Sequence, residues 1–472
     1  MKKVLLPVLF LAFVATSYCQ RSVEGNWVGT LNVGAEMRLV FHIIKNGTVY
    51  TAKMDSPDQG TKDISVSAIS ASTDSLHLKI DMLKGGFDGT FVNDTTIKGT
   101  FSQGPMQMPL ILVKTKADVG LKRPQSPKPP FGYKSDDVEY DNADKSVHFG
   151  ATLTYPASGT NFPAAILITG SGQQDRDETI LEHKPFAVIA DYLTKQGFAV
   201  LRVDDRGKGK TKGAVATATS ADFAEDVKTS LSFLKKQSNI DTGRLGLIGH
   251  SEGGLIAALV SNKRSDINFI ILLAGTGVSG SELMAAQNVA VLTTQGFKKD
   301  IAEAYGKFYL QLAKEVTVGA NEDSAMLTAR KVFENWKSYV PQITLESLGM
   351  AERNQVQDKL VSMVKAFRSP WMKYFINTDP ADFLMNTNAK VLALNGEKDI
   401  QVIAETNLDG IKKALKKSNS KVYDVKILPG LNHLFQHCKQ CTAAEYGKLE
   451  ETFSPEALQI MGDWMKKEVN TH

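Results

Sequence analysis

From residue 22 to about 116, apolar and polar residues alternate in short runs separated by Gly, Asn and Asp. Examples are MRLVFHII (37–44), SLHLKIDML (75–83), TTIKGTF (95–101) and MPLILVK (108–114). A period of two is that of an antiparallel strand with one face buried, so residues 20–118 predict a small β-sandwich or barrel. LKRPQSPKPPFGY (121–133) follows, with four prolines that no helix interior or central strand tolerates. Residues 119–133 therefore read as a stiff, extended linker.

Beyond the linker the pattern changes. AAILITG (164–170), FAVLRVDD (198–205), RLGLIG (244–249), NFIILLAG (268–275), KVLALNG (390–396) and KVYDVKILP (421–429) are mostly continuous apolar runs, suited to strands covered on both faces. Helical segments separate them: residues 183–197, a stretch with Phe223, Val227, Leu231 and Leu234 on one face, residues 254–263 and residues 405–417. A last helix opens at Ser454-Pro455-Glu456, an N-cap, a first-turn proline and an acid. Strands alternating with helices predict an α/β fold with a doubly wound, mostly parallel sheet over 134–472. Residues 279–386 interrupt the alternation with a helix-rich stretch, which reads as an inserted helical lid.

Composition adds little to this picture and excludes some partners. The chain of 472 residues is 42% hydrophobic and 22% charged, with a net charge of +4, as in an ordinary globular protein. It lacks the dense basic patch that nucleic-acid binding requires. The first 19 residues have a basic start, an apolar run over 4–14 and small Ser17 and Cys19 near a cleavage point, the layout of a secretory signal peptide. A lipoprotein acylated at Cys19 is the rival reading, disfavoured by bulky Tyr18. No other stretch is long and apolar enough for a transmembrane helix, and an exported, periplasmic or secreted chain is expected. Cys438 and Cys441 would then remain as a local disulfide or two idle thiols; neither a metal nor a cofactor is called for.

The chemistry concentrates in GHSEGG (249–254), where a G-x-S-x-G pattern lies between a buried strand and a helix. A serine on so sharp a turn needs neighbours without Cβ atoms, and the helix that follows aims free N–H groups at a developing oxyanion. Ser251 is the expected nucleophile. Asp399, just past KVLALNG, and His433, in LPGLNHLF (428–435), supply an acid and a base at strand ends, in the chain order serine, acid, histidine. Glu397 and His437 are competing choices. The oxyanion donors are expected from the N–H of Glu252 and from Ser171 in the Gly170-Ser171-Gly172 turn, with Gly172 the alternative. Asp175-Arg176-Asp177 and Asp204-Asp205-Arg206 read as ion-pair networks before substrate contacts.

TGSGQQDRDE (169–178), DDRGKGKT (204–211), GHSEGG, GEKDIQV (396–402) and LPGLNHLFQ (428–436) together resemble the α/β-hydrolase superfamily, over residues 133–472. The resemblance is to bacterial serine esterases, a branch related to dipeptidyl aminopeptidases and acylaminoacyl-peptidases. It implies acyl-enzyme chemistry on a small-molecule ester, with Ser251, Asp399 and His433 at the triad positions. The β-type region is too short for the propeller of the related peptidases, which argues against peptide cleavage. GNWVG (25–29) is similar to the first strand of small lipocalin-like barrels. A serine aminopeptidase, an acyltransferase, and a glycan- or surface-binding module with a vestigial hydrolase are the alternatives; oligomeric state is left open.

Overall fold

The computed structural model describes residues 22–33, 36–117, 121–319 and 321–469; the expected signal peptide and Cys19 lie outside them. The chain divides into two units, Met1–Gly120 and Leu121–His472.

The first unit is one antiparallel sheet of nine strands: β1 (Gly25–Asn32), β2 (Glu36–Asn46), β3 (Val49–Ser56), β4 (Thr61–Ser65), β5 (Ala68–Ala71), β6 (Ser75–Ile80), β7 (Gly85–Asn93), β8 (Thr96–Gln103) and β9 (Met106–Thr115). Its order is β4-β3-β2-β1-β9-β8-β7-β6-β5. The alternation read from the sequence places Leu39, Phe41 and Ile43 on one face, where they join Trp27, Phe87, Phe101 and Leu112 in a single core. The two ends of the sheet approach each other, with β5 lying against β3 and its Ile69 and Ala71 packed on the same core. A continuous sheet around one core has the character of a barrel, not of two stacked sheets.

In the second unit an eight-stranded sheet runs in the order β10-β11-β13-β12-β14-β15-β16-β17. Strands β10 (Tyr133–Asp141) and β11 (His148–Pro156) are antiparallel additions at one edge. The parallel part comprises β12 (Phe162–Ile168), β13 (Ala199–Val203), β14 (Ile240–His250), β15 (Phe269–Leu273), β16 (Lys390–Gly396) and β17 (Tyr423–Leu428). Residues of α1 (Pro185–Lys195) cover one face of the sheet, while residues of α2 (Ser220–Leu234) and α3 (Glu252–Ser261) cover the other. Between β15 and β16 the chain forms α4 (Gly280–Thr294), α5 (Lys299–Val316), α6 (Glu322–Lys337), α7 (Gln342–Ser347), α8 (Arg353–Phe367), α9 (Pro370–Ile376) and α10 (Ala381–Leu384). Phe308, Leu312, Phe333, Trp336, Leu360 and Phe367 give these inserted helices a core of their own. Finally α11 (Ala404–Leu415) packs on the same face of the sheet as α3, and α12 (Pro455–Val469) beside α1.

The proline-rich segment is docked from Leu121 onward. Arg123 donates to the carbonyls of Leu181, Gly447 and Leu449, and Gln125 bonds to the backbone of Thr452 and Phe453. These bonds satisfy several loop carbonyls, which a free linker would leave to water.

Candidate active site

Steric necessity builds the turn at Ser251. Its backbone has φ 54° and ψ −118°, a region that residues with a Cβ rarely occupy. A Cβ on Gly249 would lie 2.1 Å from the Gly253 carbonyl oxygen, and one on Gly253 would lie 2.2 Å from that of Ile168. Both glycines are thus required by backbone packed against backbone. The strained turn is pinned by the Ser251 N–H on the Leu273 carbonyl, at 2.9 Å, and α3 begins at the next residue.

Asp399 and His433 follow β16 and β17, at the carboxyl edge where open α/β sheets carry their sites. Asp399 Oδ2 is 2.8 Å from His433 Nδ1, and both side chains are buried. The other carboxylate oxygen accepts the N–H groups of Gln401 and Val402, at 2.8 and 2.9 Å. Three donors converge on one buried aspartate and fix its position. Asn432 fixes the loop carrying the histidine by accepting the N–H groups of Leu434 and Gln436, each at 3.0 Å.

Ser251 and His433 line one cavity of about 110 Å³, together with Gly170, Ser171, Gln174, Glu178, Ile180, His250, Gln401 and Leu434. Ser171 therefore lies at the same cavity as the serine. Among the described residues neither the Ser171 nor the Glu252 N–H donates an internal hydrogen bond. The Gly170 N–H is spent on Glu178 Oε1, at 2.7 Å. The Glu252 side chain points elsewhere: its Oε1 accepts from Ser220 Oγ at 2.6 Å and from Trp371 Nε1 of α9 at 2.8 Å. Burial raises its pKa above the ordinary carboxylate value, opposed by those two hydrogen bonds.

The competing residues are committed to other contacts. His437 is exposed and paired with Glu451, while Glu397 accepts the Gly430 N–H and pairs with Lys398. The acid–arginine clusters are structural ties: Arg176 grips Asp204, Arg206 grips Asp226, and Arg202 pairs with Asp177. Asp175 caps the N–H groups of Asp177 and Thr179. Asp205 accepts from Thr169 Oγ1 and the Gln174 N–H, both at 2.8 Å, and burial pushes its carboxyl up to about 7.

Four further histidines, His42, His77, His148 and His183, do not line this cavity. The structure gives them Asp55, Asp88, the Asp141–Glu139 pair, and Thr452 with the Tyr446 carbonyl. Cys438 and Cys441 form a local disulfide. With both sulfurs oxidised and the neighbouring Glu445 accepting the N–H groups of Lys439, Gln440 and Cys441, this cluster has no free thiolate for a metal.

A parallel sheet with helices on both faces, a strained serine between strand and helix, and an acid and a histidine at the strand ends are the features of the α/β-hydrolase fold. Residues 182–340 match the family model for serine aminopeptidases of type S33. Over 151 residues the chain is 28% identical to Esterase EstD of Thermotoga maritima, covering 32% of this chain and 36% of that protein. Over 86 residues it is 30% identical to an uncharacterized protein, YfhR, of Escherichia coli O157:H7, covering 18% of this chain and 29% of the other. The chain thus spans about a third of the length of these curated relatives. Among solved structures, an esterase of Pyrococcus furiosus overlaps 74% of this chain and 98% of its own, with 14% identity and a TM-score of 0.43. The chain is similar to serine esterases of the α/β-hydrolase type.

Among the described residues no helix is long and apolar enough to cross a membrane.

Proposed function

We propose that the protein is an exported carboxylesterase that cleaves esters of small or medium acyl groups through an acyl-enzyme, with Ser251, His433 and Asp399 as its triad. The observation that carries this reading is the meeting of three features at one cavity: the strained Ser251, the Asp399-held His433 and the uncommitted N–H of Ser171, with the uncommitted N–H of Glu252 on the residue next to the serine. Ser251 attacks the ester carbonyl as His433 takes its proton, and Asp399 holds the imidazole in the required tautomer. The two N–H groups receive the oxyanion, and His433 returns the proton to the leaving alcohol. Water then repeats the sequence on the acyl-enzyme.

Two features favour an ester over a peptide amine. Among the described residues Glu178 is the one acid lining the cavity, and it is already engaged by Gly170 and His250. Recognition of a free amino terminus would need an available carboxylate there, and Asp175 and Glu252 face other partners. A cavity of about 110 Å³ also favours short acyl chains. The Trp371–Glu252 hydrogen bond joins α9 to the residue beside Ser251, which supports a lid role for the inserted helices. Export rests on the layout of residues 1–19, and amino-terminal sequencing of the protein recovered outside the cytoplasm tests it.

The activity test is hydrolysis of p-nitrophenyl acetate, butyrate and octanoate by the mature protein beside Ser251→Ala. Fast turnover of the short esters that is lost in the variant is expected. Turnover that survives the substitution would remove Ser251 from the mechanism.

A further inference from the structure

Two buried ionisable groups at the cavity have no role in the chemistry just described. Glu178 and His250 are 5% and 6% exposed, and their side chains meet with Nδ1 2.9 Å from Oε1. Each also reaches a functional loop. Glu178 Oε1 accepts the Gly170 N–H, adjoining the proposed oxyanion donor Ser171, at 2.7 Å. On the far side of the ring, His250 Nε2 lies 3.1 Å from the carbonyl oxygen of His433 itself.

Proton arithmetic makes this more than packing. A carbonyl oxygen only accepts, so His250 Nε2 carries a hydrogen. Glu178 Oε1 already accepts from Gly170, and a further proton joins it to Nδ1. Burial disfavours an imidazolium, but the charge and hydrogen bond of Glu178 outweigh it and hold the His250 pKa above its ordinary value. The pair is thus a charge-assisted link with donors and acceptors all matched, which is the condition for a buried polar group to rigidify its surroundings. Glu178 also adopts a left-handed backbone, φ 52°, a strained conformation retained where surrounding contacts determine it.

We propose that Glu178 and His250 act together as a positioning pair, tying the oxyanion loop at Gly170-Ser171 to the backbone of His433 across the residue that precedes the nucleophile. The inference rests on the triad reading above. It adds to it that the oxyanion donor and the acid–base imidazole are held in mutual register by a single buried link, closed through residues 72 positions apart in sequence. Neither side chain transfers a proton to substrate.

The test compares Glu178→Ala, His250→Phe and the double variant with the wild type. The readouts are kcat and KM on p-nitrophenyl butyrate, the rate of Ser251 labelling by a fluorophosphonate, and near-UV circular dichroism. Misplacing a catalytic group by about 1 Å costs on the order of 10²-fold. Each single variant is therefore expected to lose about 10²-fold in kcat and in labelling rate, with KM changed by less than about 3-fold. The double variant should lose no more than the worse single, because the two residues form one link. Glu178→Gln keeps an acceptor for Gly170 but removes the charge that holds the second proton on His250, so it should lose about 10-fold in kcat and in labelling rate, and it serves where Glu178→Ala does not fold. Losses that multiply in the double variant, or native-like circular dichroism with full activity in the singles, would overturn the proposal. A wild type that is labelled at Ser251 yet cleaves no ester would remove the esterase reading and leave the comparison of labelling rates to judge the pair.

Discussion

Asp399→Asn separates orientation from mere presence of a polar group at that position. Asp399 Oδ1 accepts two backbone N–H groups, at 2.8 and 2.9 Å, and Oδ2 accepts from His433 Nδ1 at 2.8 Å. An asparagine of the same shape has one oxygen to offer. If that oxygen faced His433, the amide NH2 would confront two buried N–H groups, each costing about 1–3 kcal/mol when left unsatisfied. The amide therefore turns its oxygen to the Gln401 and Val402 N–H groups and its NH2 to His433. Nδ1 must then accept, so the ring hydrogen moves to Nε2, the nitrogen that should take the Ser251 proton. Packing is unchanged while the base is in the wrong tautomer. A fall of about 10⁴-fold in kcat is expected, or about 5.4 kcal/mol of transition-state stabilisation, with little change in KM. Steady-state kinetics on p-nitrophenyl butyrate, with circular dichroism as the folding check, measures it. A folded variant within tenfold of the wild-type kcat would refute the assignment of Asp399 as the residue orienting His433.

Other substitutions test the remaining parts of the site. Gly253→Ala drives a Cβ to 2.2 Å from a carbonyl oxygen, and overpacking of that kind costs about 1–3 kcal/mol or more, so a lower melting temperature and slower Ser251 labelling are expected. Gly254→Ala, whose Cβ would meet only the Gly275 Cα within 3 Å, should be milder, and equal effects in scanning calorimetry would contradict the steric account. Ser251→Gly should abolish activity while raising thermal stability, because glycine relieves the positive φ; a lowered melting temperature would argue against stored strain. Asp205 has its carboxyl raised from 3.8 to about 7 by burial, so its contribution to stability is present below pH 4 and is lost as the pH rises toward 7. Asp205→Asn should accordingly gain stability relative to the wild type between pH 5 and pH 8, and a relative loss over that interval in melting temperature would reverse the sign of the argument.

Much of the site was legible because its requirements are local. The Gly-x-Ser-x-Gly turn is a steric demand of five consecutive residues, and the acid and histidine each follow a run of apolar residues long enough to announce a strand. The inserted helices and the nine-stranded unit were visible through their periods. The edge strand Tyr133–Asp141 was not, since YKSDDVEYD is largely exposed and only Val138 and Tyr140 reach the core. Glu178 and His250 lie inside the quoted motifs, but nothing in either motif pairs them. Hydrophobic periodicity carries no information about which buried polar groups meet, and the partners on this link come from three separate stretches of chain.

By itself, then, the sequence determined the element types, the serine turn and the identity of the three residues proposed for the triad, because backbone sterics and strand or helix periods act over a few residues. Only the tertiary structure decided that Asp399 is saturated by three donors, that Glu252 turns its carboxyl toward Ser220 and Trp371, and that one buried ion pair spans the oxyanion and histidine loops. Those outcomes depend on pairing every buried donor and acceptor at once, a condition set by the packing of distant segments that no local pattern encodes.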